Sequence, residues 1–258
     1  MSRSDDAGAS TVGRPRAYHR VDDKGRRHRP GGDERSGPDT RAFEWINNGS
    51  TLMNRLLLFS DVHSDQQACR HLVEQAKEVD LVIGAGDFCN MRRGLDAVID
   101  TLKAIETPTI LVPGNAESED ELRAACEGWP VATVLHGEGA TVAGVGVVGI
   151  GGGIPVTPFG DWSYDLTEEE ARDLLSERTL DGEPGGVLVS HSPPKELVDR
   201  DSSGASLGSV AIREAMDALR PALVVCGHIH GSWGEEETVD GTTVINAGPD
   251  GIIWTLDG

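Results

Sequence analysis

At 258 residues, with 38% hydrophobic and only 4% aromatic side chains, the chain is long enough to bury the core of one domain. A formal net charge of −20 disfavours a surface that tracks a nucleic-acid backbone. No stretch approaches the roughly 20 continuous apolar residues of a membrane span, and no apolar signal-peptide core is present at the N-terminus, so the expected location is cytoplasmic with no membrane partner. Cys69, Cys89, Cys126 and Cys226 lie far apart without a C-x-x-C pair, and read as reduced thiols.

Residues 1–52 are rich in Gly, Arg, Asp and Ser and lack apolar periodicity. Such a segment buries too little surface to offset its ordering entropy, which predicts a disordered tail before a domain over residues 53–258. The short basic run Arg26-Arg27-His28-Arg29 reads as solvated chain, and His19 and His28 as tail residues and not ligands. The tail holds 10 of the 23 basic and 8 of the 43 acidic residues, so the remainder carries 13 against 35, a net of −22. Self-repulsion of that size is tolerable where salt screens the surface, and suggests a halophilic, archaeal-type cytosol. Met53, directly before the first apolar run, is a candidate natural start.

Leu56, Leu57, Leu58 and Phe59 form an apolar run that predicts a buried strand. It is followed by Asp61 and His63, which extended backbone would aim to one side. Over residues 65–78, Ala68, Leu72, Val73 and Ala76 recur at helical spacing, predicting an amphipathic helix with His71 facing solvent. A second apolar run, residues 81–86, ends on Asp87. Cys89, two residues on, reads as packed, and Arg92 and Arg93 are candidate phosphate clamps before a helix over 95–105. A third run, 109–114, ends on Asn115, and residues 118–126 read as a short helix whose Ser118 and Glu121 have capping-box spacing.

Residues 141–149 are glycine-rich and β-branched without a crossover helix, suggesting strands of a second sheet, with 131–135 pairing beside them. Gly144, Gly146 and Gly149 satisfy G-x-G-x-x-G, but two prolines and three glycines follow where a dinucleotide site needs a helix, so a nucleotide cofactor is rejected. The loop 151–165 carries Phe159, Trp162 and Tyr164, three of eleven aromatic residues, as a wall of a substrate pocket or as local packing. Thr167 and Glu170 open a helix to about residue 177. A fourth run, 187–190, ends on His191, followed by Pro193, Pro194 and Lys195, the last a candidate phosphate contact. A small polar segment, 204–209, precedes a helix over 210–219. A fifth apolar run, 223–227, ends on His228 and His230, and strands over 236–239, 242–245 and 252–256 are expected to complete the second sheet.

Five apolar runs thus deliver seven potential ligands: Asp61, His63, Asp87, Asn115, His191, His228 and His230. In α/β sheets ligands collect beyond the carboxyl ends of strands. Gly86, Gly114 and Gly227 each precede a ligand, which suits tight turns and close backbone approach.

The ordered set Asp61-Val62-His63, Gly86-Asp87, Gly114-Asn115-Ala116-Glu117, His191 and Gly227-His228-Ile229-His230 resembles the five motifs of the calcineurin-like metallophosphoesterases, over about residues 54–250, and Asn246-Ala247-Gly248-Pro249 resembles the family's closing turn. The resemblance implies a four-layer α-β-β-α sandwich of two mixed sheets flanked by helices. It implies that Asp61, His63 and His230 hold one metal, that Asn115, His191 and His228 hold a second, and that Asp87 bridges them. Asp61, Asp87, Asn115 and His191 would then be the catalytic set, and Mn²⁺ the first choice of ion. Where the family usually has a histidine after the asparagine, this chain has Ala116.

The ligand types themselves suit two divalent cations. Two carboxylates, a carboxamide and four imidazoles leave part of the +4 charge to sharpen a bridging hydroxide, which attacks a small phosphoester in line. Nitrogen and oxygen donors together suit Mn²⁺, Fe, Zn²⁺ or Ni²⁺ better than Ca²⁺. The expected activity is hydrolysis of phosphomono- or phosphodiesters. Without a histidine at 116, esters with good leaving groups should turn over best unless Glu117 serves as the acid; otherwise Glu117 is an outer acceptor. A scaffold that binds without catalysis would not need all seven ligands, and a nuclease would need a positive track that the acidic domain lacks.

Overall fold

The computed structural model describes residues 54–180 and 185–256. The predicted tail, the candidate start at Met53 and part of the segment before His191 lie outside the described residues.

Four consecutive apolar residues make the first strand, β1 (Asn54–Phe59), buried on both faces: Leu56 to Phe59 are each fully enclosed, as befits a strand covered on two sides. The Asp65 carboxylate accepts the backbone N–H groups of Gln67 and Ala68 and starts α1 (Gln66–Gln75). This helix buries Cys69 and Leu72 and leaves His71 exposed, as its spacing predicts. Next come β2 (Leu81–Gly84) and α2 (Leu95–Leu102), which closes one turn before Ile105 in a tight Ile105 N–H to Leu102 carbonyl bond. Then follow β3 (Thr109–Leu111), α3 (Glu119–Ala125) with both halves of the Ser118–Glu121 capping box formed, and β4 (Ala132–Val134).

The second half builds β5 (Glu138–Val142) and β6 (Val145–Ile150) as a hairpin, then α4 (Glu168–Leu175), opened by the Thr167–Glu170 capping box. It continues through β7 (Val187–Ser190), α5 (Val210–Leu219), β8 (Leu223–Cys226), β9 (Glu236–Val239), β10 (Thr242–Asn246) and β11 (Ile252–Leu256). Two mixed sheets result, ordered β11-β1-β2-β3-β4 and β5-β6-β7-β8-β10-β9.

Two strands belong to the other sheet from the one expected. The sequence pattern puts residues 131–135 beside 141–149, but β4 pairs in parallel with β3, Leu111 opposite Val134. The intervening α3 is a crossover helix, and such a helix returns the chain to the sheet it left. Likewise β11 does not finish the second sheet; it lies antiparallel to β1, Leu56 opposite Trp254. The turn after β10 carries it across: Ser60 N–H donates to the Gly248 carbonyl at 2.8 Å and Gly248 N–H to Ser60 Oγ at 3.0 Å.

Apolar side chains gather in three slabs. One lies between α1, α2, α3 and the first sheet, one between the sheets (Leu58, Ile83, Val147, Val225), and one between the second sheet and α4 and α5. Three slabs separate four layers, the predicted α-β-β-α sandwich. Gly144 lies in the β5–β6 hairpin turn and Gly146 and Gly149 within β6, followed by a loop and not a helix, which agrees with rejecting the dinucleotide fingerprint. No helix among the described residues is long and apolar enough to cross a membrane.

Candidate metal centre

The parallel strands β1, β2, β3, β7 and β8 all end at one edge, and the loops leaving them bear the seven candidate ligands. The backbone there is not the extended chain that the sequence suggested. Asp61 has φ +54° and His63 φ +42°, so their convergence comes from left-handed turns and not from strand alternation. Asp87 (φ +57°) and His228 (φ +67°) share this conformation, which costs energy for residues bearing a Cβ and persists only where surrounding contacts enforce it. Those contacts are visible: Asp61 N–H donates to the Gly86 carbonyl at 2.9 Å, His63 N–H to the Asp87 carbonyl at 3.1 Å, and Ser64 N–H to the Phe88 carbonyl at 2.9 Å. Gly114 and Gly227 leave room that a Cβ would fill, against Asp87 and Asp61 respectively.

The side chains meet around Asp61 and Asp87. His63 Nε2 lies 3.2 Å from His230 Nε2 and 3.5 Å from Asp87 Oδ2; His230 Nε2 lies 3.7 Å from Asp61 Oδ1. His191 Nε2 lies 3.4 Å from Asp87 Oδ1 and 3.3 Å from Asn115 Oδ1. The His228 ring centroid is 4.9 Å from that of His191, and its backbone N–H donates to both Asp61 oxygens. Ligand atoms of Asp61, His63 and His230 form one close group, and those of Asp61, Asp87 and His191 another.

Tautomers follow from the outer contacts. His63 Nδ1 faces the Cys89 carbonyl at 3.1 Å and His191 Nδ1 the Ala85 carbonyl at 2.7 Å. Each Nδ1 carries a proton toward its carbonyl, so in the neutral ring Nε2 is the lone pair, and it is aimed into the cluster. With the ring neutral, His191 Nε2 and Asn115 Oδ1 are two acceptors facing each other. Such a donor set is suited to divalent cations.

Electrostatics point the same way. Burial pushes Asp61 up, but the His230 imidazole, at 3.7 Å too far for a good hydrogen bond, together with the charge that His191 carries when protonated and the Ser60 hydroxyl, holds it at about 2. Burial, and then the neighbouring Asp61 charge, push Asp87 up to about 7. Burial, helped by His191, lowers His228 to about 3, whereas Asp61 raises His230. The paired carboxylates thus resist carrying two charges until a cation joins them.

Glu117 lies wholly enclosed behind this cluster. Its Oε1 accepts the N–H of Gly114 at 2.7 Å and of Asp87 at 2.9 Å, and its Oε2 that of Cys89 at 3.2 Å. It is the outer acceptor of the two roles foreseen. Ala116 offers its backbone N–H to Asp87 Oδ1 at 2.8 Å, and its methyl is buried. Cys89 is packed as expected, its thiol on the Ala116 carbonyl and pushed up by burial. Two of the three candidate phosphate contacts are engaged elsewhere: Arg92 Nε pairs with Glu121 at 2.7 Å, and Lys195 Nζ donates to the Ser206 carbonyl at 2.8 Å; Arg93 is exposed. Of the aromatic loop, Tyr164 contacts His136 at 3.2 Å, while Phe159 is exposed and stacks on Trp162. Trp233, not singled out in the sequence, packs its ring 4.1 Å from that of His230. The Asn90 carboxamide, on the His63 carbonyl at 2.6 Å, also escaped notice, because a lone polar loop residue carries no periodic signal.

The model for the Calcineurin-like phosphoesterase superfamily domain matches residues 54–255. No curated protein matches significantly. Among solved structures, the protein TT1561 of Thermus thermophilus aligns with a TM-score of 0.62 at 16% identity, covering 80% of this chain and 99% of that one. A dimetal phosphatase from Danio rerio aligns with a TM-score of 0.52 at 14% identity, covering 76% and 88%. At such identities the alignments speak for a shared fold alone.

Proposed function

Because the chain belongs to the calcineurin-like phosphoesterase superfamily, we propose that it is a metal-dependent hydrolase of small phosphomono- or phosphodiesters. Asp61, His63 and His230 would hold one divalent cation, Asn115, His191 and His228 a second, and Asp87 would serve both; Mn²⁺ is the first ion to try. When bound, the cations supply charge to neutralise phosphoryl oxygens and to activate water near neutral pH. The observation that carries this reading is that His191 Nε2 faces both Asn115 Oδ1 at 3.3 Å and Asp87 Oδ1 at 3.4 Å, with its Nδ1 turned away onto the Ala85 carbonyl.

The protein's own groups define the rest. Asp61 stays anionic throughout the physiological range, and Asp87, raised to about 7, is the group on which a proton is held near neutral pH. Position 116 has no proton to give, and Glu117 is turned away onto three backbone N–H groups, so neither assists the leaving oxygen. Exposed side chains near the ligands are mixed: apolar Met91 and Trp233, the latter against His230, beside polar Asn90, Arg92 and Arg93.

Metal analysis after Mn²⁺ loading, with hydrolysis of nitrophenyl mono- and diesters against alkyl esters, tests the proposal. Two ions per chain and a steep preference for nitrophenyl leaving groups are expected, and Ala116→His should help the alkyl esters most, by about 10-fold or more. A loaded protein inert on every ester would leave only a binding scaffold.

A further inference from the structure

The Asn115 carboxamide has two ends of nearly equal size, so packing alone does not choose which one faces the ligand cluster. Hydrogen bonding makes that choice. Oδ1 faces His191 Nε2 at 3.3 Å, while Nδ2 donates to Ser163 Oγ at 3.1 Å. Ser163 can accept because its own proton is committed to Asp165 Oδ1 at 2.7 Å. The Asp165 carboxylate is fixed in turn: its Oδ2 accepts the Thr157 hydroxyl at 2.8 Å and the Thr157 N–H at 3.0 Å. The same loop is bound to Asn115 along the backbone, with Tyr164 N–H on the Asn115 carbonyl at 2.9 Å and Gly153 N–H on the Tyr164 carbonyl at 3.0 Å.

We propose that Ser163, oriented by Asp165 and Thr157, is a positioning residue that sets the polarity of the Asn115 carboxamide and thereby the cation affinity of the Asn115, His191 and His228 subsite. This rests on the metal-centre reading above. With the Ser163 acceptor gone, the amide is free to turn its NH₂ toward His191 Nε2. That places donor hydrogens where a cation needs an oxygen lone pair. The subsite formed by Asp61, His63 and His230 has no contact with Ser163 and should keep its affinity.

Mn²⁺ titration of the metal-free full chain, followed by calorimetry and by loss of the free-ion electron paramagnetic resonance signal, provides the test. Wild type should bind two ions. Ser163→Ala should weaken one of the two by about 10- to 100-fold, the range for removing the outer partner of a ligand, and leave the other within about twofold. Ser163→Thr, which keeps the hydroxyl, should restore it. Thr157→Ala, which loosens Asp165, should give a smaller loss at the same subsite, and serves if Ser163→Ala fails to fold by circular dichroism. Two ions bound by Ser163→Ala with wild-type affinities would overturn the role of Ser163, as would equal weakening of both subsites. Wild type binding fewer than two ions would instead overturn the metal-centre reading beneath it.

Discussion

The two halves of the candidate centre differ in exposure. The side chains of His63 and His230 are 25% and 52% exposed, whereas that of His191 is 0% and Asn115 is buried. The open half is bounded by one carbonyl contact on His63 and by the Trp233 ring; the closed half is held from behind by Ala85, Ser163 and the body of the second sheet. An enclosed half of this kind loses little entropy on binding an ion, because its ligands are already fixed. The open half is the one that solvent reaches. The proposed chemistry needs both, joined by Asp87.

Breaking the joint should have the largest effect. Asp87→Asn removes a charge facing both His63 and His191, and a loss of several kcal/mol of charge stabilisation corresponds to about 10³-fold in kcat; steady-state kinetics on a nitrophenyl ester would measure it. Acid should separate the halves next. Asp87 is raised to about 7, so below that pH a cation must displace a proton, and affinity should fall about tenfold per pH unit, roughly 10²-fold by pH 5. His228, lowered to about 3, holds no competing proton in that range, but His230 is raised and does. The open half should therefore empty first in a Mn²⁺ titration between pH 7.5 and 5, and simultaneous loss of both ions would count against the distinction.

Removing one imidazole from each half sharpens the contrast. His230→Gly and His191→Gly should each weaken one ion by about 10- to 100-fold, comparable to or above outer-partner losses. Added imidazole should rescue only His230→Gly, because the His191 site is sealed; rescue of both would mean that the closed half is accessible after all. The smallest effect concerns the acidic surface and not the centre. If the net −22 of residues 53–258 reflects a saline setting, melting temperature should rise by several degrees between low and molar KCl through screening, and a flat series would remove the halophile reading.

That the seven candidate positions would gather at one edge was legible from sequence, because each follows an apolar run at a strand's carboxyl end, and strand ends converge in any parallel sheet. Their backbone was not. Nothing in the residues Asp61-Val62-His63 announces two left-handed turns, since the enforcing bonds come from Gly86 and Asp87, remote in sequence. The sheet to which β4 and β11 belong was likewise hidden: strand pattern shows that a segment pairs, while the partner depends on which edge is free. Arg92 and Lys195 looked like phosphate contacts because their charge was visible, and Glu121 and the Ser206 carbonyl, which engage them, were not. Ser163 gave no signal, being one serine in an irregular loop.

The antiparallel pairing of β11 with β1 sets Asn54 directly opposite Leu256. Both lie at the end of the strand pair remote from Asp61, about 20 Å of extended chain away. The first and last of the described strands thus close against each other at the end of the sheet away from the candidate metal centre, so the long path of the chain through both sheets begins and finishes in one hydrogen-bonded pair.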